Sequence, residues 1–304
     1  MMHHYQMTAV GIEHEHDGML CEDQVTTFRW GSIYAQACAD GWDGRGGVEA
    51  KSLCDVITQQ LAMYYRTYRE MSPERLRREL LRLIRREQER LIHDGALRED
   101  ELGCTVVAAA MDTRSHTYIG VSLGDGILLG RDDVSGCVLA ELPPEKRPAG
   151  GAYMTCDTDE EILRHMRCVC GRSRDALMVS SNGLEDTLWD AAGRKLSPTV
   201  HHLMRWVAEE PERVQEEFSE LLYDLSLPDD AGVAVMVDRC EPVRAWRGND
   251  PGLLCRRRRD ARRYLSYLRS RDRGYSRTEA AQRAGWGWRS GCVSIRYMRA
   301  IGLD

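Results

Sequence analysis

Residues 34–47 read YAQACADGWDGRGG, and this stretch sets how the rest of the chain is read. A β-prone run ends on Asp40-Gly41, a glycine-rich turn follows, and helical periodicity begins near Val48. That grammar describes a buried strand delivering a polar side chain to a sheet edge, with a helix starting just behind it. It recurs down the chain. TYIGVSLGDG (117–126) ends on Asp125, and LPDDAGVAVMVD (227–238) sets Asp229 and Asp230 just before a strand. LMVSSNGLED (177–186) repeats the pattern with a neutral amide, Asn182, in the polar slot.

Working outward, MTAVGI and SIYAQACA read as strands around a loop that carries Cys21-Glu22-Asp23. A helix is predicted from about Val48 to Glu70, with Val48, Leu53, Val56, Ile57, Leu61 and Tyr64 near a 3.6-residue period. Ser72-Pro73 supplies an N-cap and a first-turn proline for the next helix. From Cys104 the periodicity switches to strands. CTVVAAAM and HTYIGVSL form one predicted hairpin, and ILLGR and CVLAEL another. ALMVSS is a strand, residues 197–225 are helical, and GVAVMVD is a last strand. Hairpins dominate and helices come in pairs, so the predicted class is α+β with antiparallel sheets.

The chain of 304 residues is long enough for one large domain and an appendage. No apolar run reaches the ~18 residues that span a bilayer, so no membrane segment is expected. The first residues lack the basic-then-apolar pattern of a secretion signal, and the expected location is cytoplasmic. There are 11 cysteines but no CxxC; the closest pair, Cys168 and Cys170, is poorly spaced for a zinc knuckle. Reduced core thiols are the expected state. Charge is uneven. Residues 241–304 hold 16 Arg, no Lys and 6 acids, a net of +10. Taken from the totals of 42 Lys+Arg and 48 Asp+Glu, this leaves 26 bases against 42 acids in residues 1–240, a net of −16. The expected domains are therefore 1–240 and an Arg-rich helical extension, 241–304.

Carboxylates beside glycines at several strand ends suit hard divalent cations, which prefer carboxylate, carbonyl and water oxygens. A single Asp-Gly is weak evidence, because it is also a common turn. The order is more informative: Glu22-Asp23, ADGWDGRGG with a helix behind it, GCTVVAAAM, VSLGDG, MVSSNGLED and DDAGVAVMV. Over residues 7–238 this resembles the PP2C (PPM) family of metal-dependent protein serine/threonine phosphatases, in a divergent bacterial form. The resemblance implies a four-layer αββα sandwich with paired Mg²⁺ or Mn²⁺ ions at one end, where an activated water hydrolyses phosphoserine or phosphothreonine. It implies that Asp40 bridges the ions, that Gly41 offers its carbonyl, and that Asp230 ligates. Asp229 or Asp23 would act through water, and Asp125 would help hold a third, looser ion. The implied partner is a phosphorylated protein, in opposition to a Ser/Thr kinase.

Two departures bear on activity. Asn182 stands where the family has a metal-ligating Asp, so one ion loses a charge of attraction. The alternatives are an enzyme with a weakened metal site and a pseudophosphatase that binds phosphoproteins. Upstream, the family's phosphate-binding arginine falls on Gly18; His14 or His16 could donate instead, and Trp42 could line a substrate groove. The basic tail is expected to dock on the acidic body or to help the chain dimerise. A helix–turn–helix binding nucleic acid through residues 255–300 is the less favoured reading.

Overall fold

A computed structural model of the chain describes residues 2–42, 45–133, 137–172, 174–190, 195–209, 214 and 227–238, together with 270, 273, 282 and 283. The residues fall into two compact units, one of 1–186 with 200–240 and one of 187–199 with 241–304. Most of the Arg-rich extension lies outside the described residues, and with it the expected helix–turn–helix.

The first unit opens with β1 (Met2–Ala9), a short helix α1 (Ile12–Asp17), β2 (Gln24–Trp30) and β3 (Ile33–Ala39). Helices α2 (Gly46–Met63), α3 (Tyr65–Glu70) and α4 (Pro73–His93) follow. Then come β4 (Val106–Asp112), β5 (Thr117–Leu123), β6 (Ile127–Asp132), β7 (Val138–Leu142), α5 (Asp159–His165), β8 (Arg167–Gly171) and β9 (Arg174–Ser180). After α6 (Glu185–Leu188), the two-residue strands β10 (Trp189–Asp190) and β11 (Lys195–Leu196) form a hairpin in the second unit. Helix α7 (Pro198–Glu209) and β12 (Ala231–Asp238) complete the described elements.

Two five-stranded antiparallel sheets result, with orders β1-β12-β9-β6-β7 and β2-β3-β4-β5-β8. Strand alternation decides which face each residue serves. On β3 and β4, Ala35, Ala37, Ala39, Val106, Ala108 and Ala110 join the core under α2 and α4, where Leu53, Ile57, Leu61, Leu76, Leu80 and Ile84 pack. The intervening Cys38, Val107, Ala109 and Met111 meet Leu128, Leu177, Val179, Ala234 and Met236 of the other sheet. All eight residues of β12 are buried, because both faces of its sheet are covered. On α7, Val200, Leu203, Met204 and Val207 form a buried stripe at helical spacing. The layers are helix, sheet, sheet, helix. Gln36 crosses between the sheets, its Nε2 donating to the Leu177 carbonyl at 3.0 Å.

Both predicted hairpins form, as do the α4 start and the closing strand. Ser72 caps α4 by accepting from the Arg75 N–H at 3.3 Å. Two readings change. The expected loop over 13–31 contains α1 and β2, whose polar-rich QVTTFRW hides its strand character. The expected helix 48–70 breaks at Tyr64 into α2 and α3. The Cys168–Cys170 segment, to which the sequence reading assigned no element, lies in strand β8, pairing with β5. Among the described residues, no helix is long and apolar enough to cross a membrane.

Candidate active site

The sheets place the ends of β3, β9 and the start of β12 together, and the polar residues just beyond them form one acidic corner. Asp40 follows β3 directly. Its backbone is fixed by Thr105, whose N–H donates to the Asp40 carbonyl at 2.9 Å, and whose hydroxyl accepts from the Asp40 N–H at 3.3 Å. Gly41 pairs with Cys104 and sits against the first turn of α2, where a Cβ would meet backbone atoms of Gly46 and Gly47 at 2.4–2.5 Å. Any side chain there would push the acid-bearing turn off the helix.

Beneath this turn a buried carboxylate ties the scaffold together. Glu49 of α2, fully buried, accepts from the Gly103 N–H at 2.5 Å, Gln88 Nε2 at 2.7 Å and Thr155 Oγ1 at 2.9 Å. Thr155 Oγ1 in turn accepts from the Cys104 N–H at 3.0 Å. One acid thus joins α2, α4, the residue preceding Cys104 and the segment that leads into α5.

Asp23 is completely buried beside Asp40. The Ser181 hydroxyl donates to Asp23 Oδ2 and accepts from the Gly232 N–H at 2.8 Å, so β9, β12 and the Asp23 loop meet at one hydroxyl. Burial, reinforced by the charge of Asp40, holds Asp23 well above the usual carboxylate range. Burial and then the charge of Asp229 push Asp40 up to about 7, with Asp125 and Glu22 adding to the effect. Asp125 is also buried and raised, burial being the largest cause. These shifts have one origin: several carboxylates share a low-dielectric corner, and each resists the ionisation of the next.

The neighbouring pair of aspartates divides its work. Asp230 is 1% exposed, and both of its oxygens are engaged. Oδ1 accepts from the Gly11 N–H at 2.7 Å, and Oδ2 accepts from the Glu22 N–H at 2.5 Å. His14 Nδ1 lies 3.0 Å from the same Oδ2, and the close carboxylate raises the imidazole pKa. Asp229, by contrast, is exposed, accepting the Asp230 N–H at Oδ1 (2.9 Å) and Asn182 Nδ2 at Oδ2 (3.4 Å). The Asn182 turn packs tightly on β12, since a Cβ at Gly183 would meet the Asp230 carbonyl oxygen at 1.8 Å.

Of the residues expected from sequence, Asp23, Asp40, Asp125, Asp229, Asp230, Asn182 and His14 gather here. Trp42 stands at the rim, 60% exposed. His16 points to solvent beside Asp17, its side chain 86% exposed. Sequence reading passed over Ser181, Thr105 and Glu49, which hold the acids in place; a buried acid inside α2 was their one visible signal. It also passed over Lys146, whose Nζ lies 2.6 Å from Glu185 Oε2 near Asp125.

Among the described residues, no three His, Cys, Asp or Glu side chains form a ready ligand cage. The donor set is nonetheless all oxygen, and Asn182 Oδ1 is buried with no hydrogen-bond partner. Buried polar atoms left unpaired are costly, and hard cations are the species that satisfy carboxylate and carbonyl oxygens together. The residues fit Mg²⁺ or Mn²⁺. Two described clefts, one lined by Tyr64, Tyr68, Glu79 and Arg86 and one by His4, Phe28 and Tyr34, contain none of these acids.

A family model described as "Protein phosphatase 2C" matches residues 10–223. Among curated proteins, none matches the chain in sequence. Solved structures share the fold. A bacterial serine phosphatase superposes with a TM-score of 0.56 at 14% identity, covering 80% of this chain and 100% of that one. The serine/threonine phosphatase of S. agalactiae gives 0.54 at 13% identity, covering 78% and 100%. Serine/threonine phosphatase Stp1 from Staphylococcus aureus gives 0.52 at 15% identity, covering 78% and 95%. With that family match spanning most of the chain, and with two antiparallel sheets bringing the acids of distant strand ends to one corner, this protein belongs to the protein phosphatase 2C family.

Proposed function

We propose that the chain hydrolyses phosphoserine and phosphothreonine esters of proteins, opposing a Ser/Thr kinase, at a paired Mg²⁺ or Mn²⁺ centre. The supporting observation is that Asp40, just after β3, shares one acidic corner with buried Asp23 and Asp125 and exposed Asp229, contributed by three other segments. When bound, paired dications lower the pKa of a water and neutralise the phosphate that it attacks. Asp40, the Gly41 carbonyl, Asn182 and Asp229 would hold them, with Asp23 behind Asp40.

Within the Asp229–Asp230 pair we assign the outward oxygens of Asp229 to the ions. Asp230 is assigned to the loop, because two backbone N–H groups and His14 already occupy its oxygens. His14, held with Nδ1 beside Asp230, which raises its pKa, would offer its other ring nitrogen to the substrate phosphate. Trp42 would form one wall of the groove at the rim. No side chain is required as a covalent nucleophile.

A second reading has its own observation. The Asn182 amide donates toward Asp229, so the residue in the family's acidic slot both lacks a charge and engages a neighbouring ligand oxygen. This favours a weakened metal site and, at the limit, a regulator that binds phosphoproteins without hydrolysing them. Mn²⁺-titrated release of phosphate from a phosphothreonine peptide separates the two. Activity that saturates with Mn²⁺ and disappears in Asp40→Asn supports the enzyme. Phosphopeptide binding with no turnover at saturating Mn²⁺ supports the regulator. The alternative of a nucleic-acid-binding tail concerns residues 255–300, nearly all outside the described residues.

A further inference from the structure

We propose that Lys146 is a built-in cation for the Asp125–Glu185 corner, and that it keeps a divalent ion from settling there. This deepens the metallophosphatase reading and rests on it. That reading, carried over from the family resemblance, would have given Asp125 a third ion.

Asp125 is 5% exposed and its Oδ1 has no hydrogen-bond partner. Beside it, Lys146 Nζ lies 2.6 Å from Glu185 Oε2. The lysine arrives from residues 143–152, between β7 and α5, and this segment is pinned on all sides. The Glu145 N–H donates to the Gly124 carbonyl at 3.3 Å, which sets Lys146 next to the Asp125 turn. The Glu145 carboxylate is held by His165 and Arg167, each at 2.9 Å. Arg147 lies over the Tyr153 ring at 4.8 Å and donates to the Ala152 carbonyl at 2.9 Å. Tyr153 stacks on His165 with centroids 3.6 Å apart. Three consecutive residues, Glu145, Lys146 and Arg147, therefore each have a fixed partner, and the ammonium has little freedom to leave.

A lysine ammonium is a compact, strongly hydrated point charge with three donors and is well suited to neutralising two carboxylates at once. Because it is tethered, its local concentration is high and constant, whereas a free ion must be recruited from solution. A dication shared by Asp125 and Glu185 would have to displace the ammonium already paired with Glu185, in a partly buried setting where like charges repel strongly. The two cations are thus mutually exclusive. The Asp40 ions would keep their own oxygens, and the charge of the Asp125–Glu185 corner is balanced from within the chain through Glu185.

The test is a count of bound ions in the full, metal-stripped chain, using Mn²⁺ alone. Free Mn²⁺ is followed by electron paramagnetic resonance, and binding heat by calorimetry. Lys146→Gln should bind one more Mn²⁺ per chain than the wild type, and Lys146→Gln with Asp125→Asn should lose that extra ion. Lys146→Arg, which keeps the charge, should return the wild-type count. Lys146 is half-exposed and not part of the core, and a cooperative melt without metal confirms that the variants fold. The proposal fails if Lys146→Gln leaves the count unchanged while Asp40-dependent binding persists. It fails equally if Asp125→Asn alone removes an ion from the wild type. A wild type that binds no Mn²⁺ at all would overturn the metallophosphatase reading, and this proposal with it.

Discussion

Asn182 Nδ2 lies 3.4 Å from Asp229 Oδ2, while the Asn182 carbonyl oxygen is buried without a hydrogen-bond partner. A carboxylate in place of the amide would put two negative groups face to face, favourable only around a cation. Asn182→Asp is therefore expected to bind Mn²⁺ at least ~10-fold more tightly, about 1.4 kcal/mol, and to reach half-maximal phosphatase activity at correspondingly lower Mn²⁺. The same variant should melt at a lower temperature than the wild type when stripped of metal. Equal Mn²⁺ dependence in the two proteins would show that residue 182 does not touch an ion.

Asp229 and Asp230 are adjacent yet should fail in different ways. Asp230→Ala strands the Gly11 and Glu22 N–H groups and removes the partner of His14. Leaving buried donors unsatisfied and breaking a buried pair costs about 3–5 kcal/mol, so chemical denaturation should show a large loss of stability with or without metal. Exposed Asp229 makes no comparable contacts, and Asp229→Ala should lower Mn²⁺ affinity and turnover while changing stability by less than ~1 kcal/mol. The opposite assignment would show up as a stable Asp230→Ala protein that has lost its metal.

The raised carboxylates give the metal-free chain a particular pH dependence. Asp40 titrates near 7 in the fold and near 3.8 when unfolded, so between those values the folded state holds the extra proton. Stability then rises as pH falls, opposite to the usual salt-bridged carboxylate. The penalty for ionised Asp40 is fully present above pH 7 and is relieved on acidification through 7, with Asp23 and Asp125 acting in the same direction. Thermal melts of the chelated protein should show a higher midpoint at pH 6 than at pH 8. Saturating Mn²⁺ should raise the midpoint most at pH 8, where the proton no longer competes for Asp40.

Glu49 offers a test of the scaffold away from the acids that would meet the ions. Gln at this position can accept at only one of its two terminal atoms, yet Gly103, Gln88 and Thr155 all donate to the carboxylate. Glu49→Gln should lose about 2–4 kcal/mol in a urea melt, by leaving buried donors facing an NH₂ group. A loss below ~0.5 kcal/mol would mean that the three donors have other acceptors.

Much of this was visible in the order of residues, for a definable reason. Strand ends that carry Asp-Gly or Asn-Gly are local features, and their succession from Asp40 to Asp125 to Asn182 to Asp229 survives any detail of packing. Strand β2 and helix α1 were not visible, because QVTTFRW lacks clean alternation and IEHEHD is polar after Ile12; tertiary pairing, not propensity, makes them regular. The separate roles of Asp229 and Asp230 could not be read either, since only the fold brings Gly11 and Glu22, 219 and 208 positions away, to the second of them. Lys146 was hidden for the same reason: EKR in a loop looks like solvated charge until Glu185 and Gly124 are placed beside it.

Strand β12, although last among the described strands, lies between β1 and β9 in its sheet. A ribosome-bound chain that has not yet released residue 238 has two unsealed strand edges and an incomplete pocket, since Ser181, Gly11 and Glu22 all await partners from 230–232. Chains that end before this strand should therefore expose the edges of β1 and β9 and leave the acidic corner unassembled.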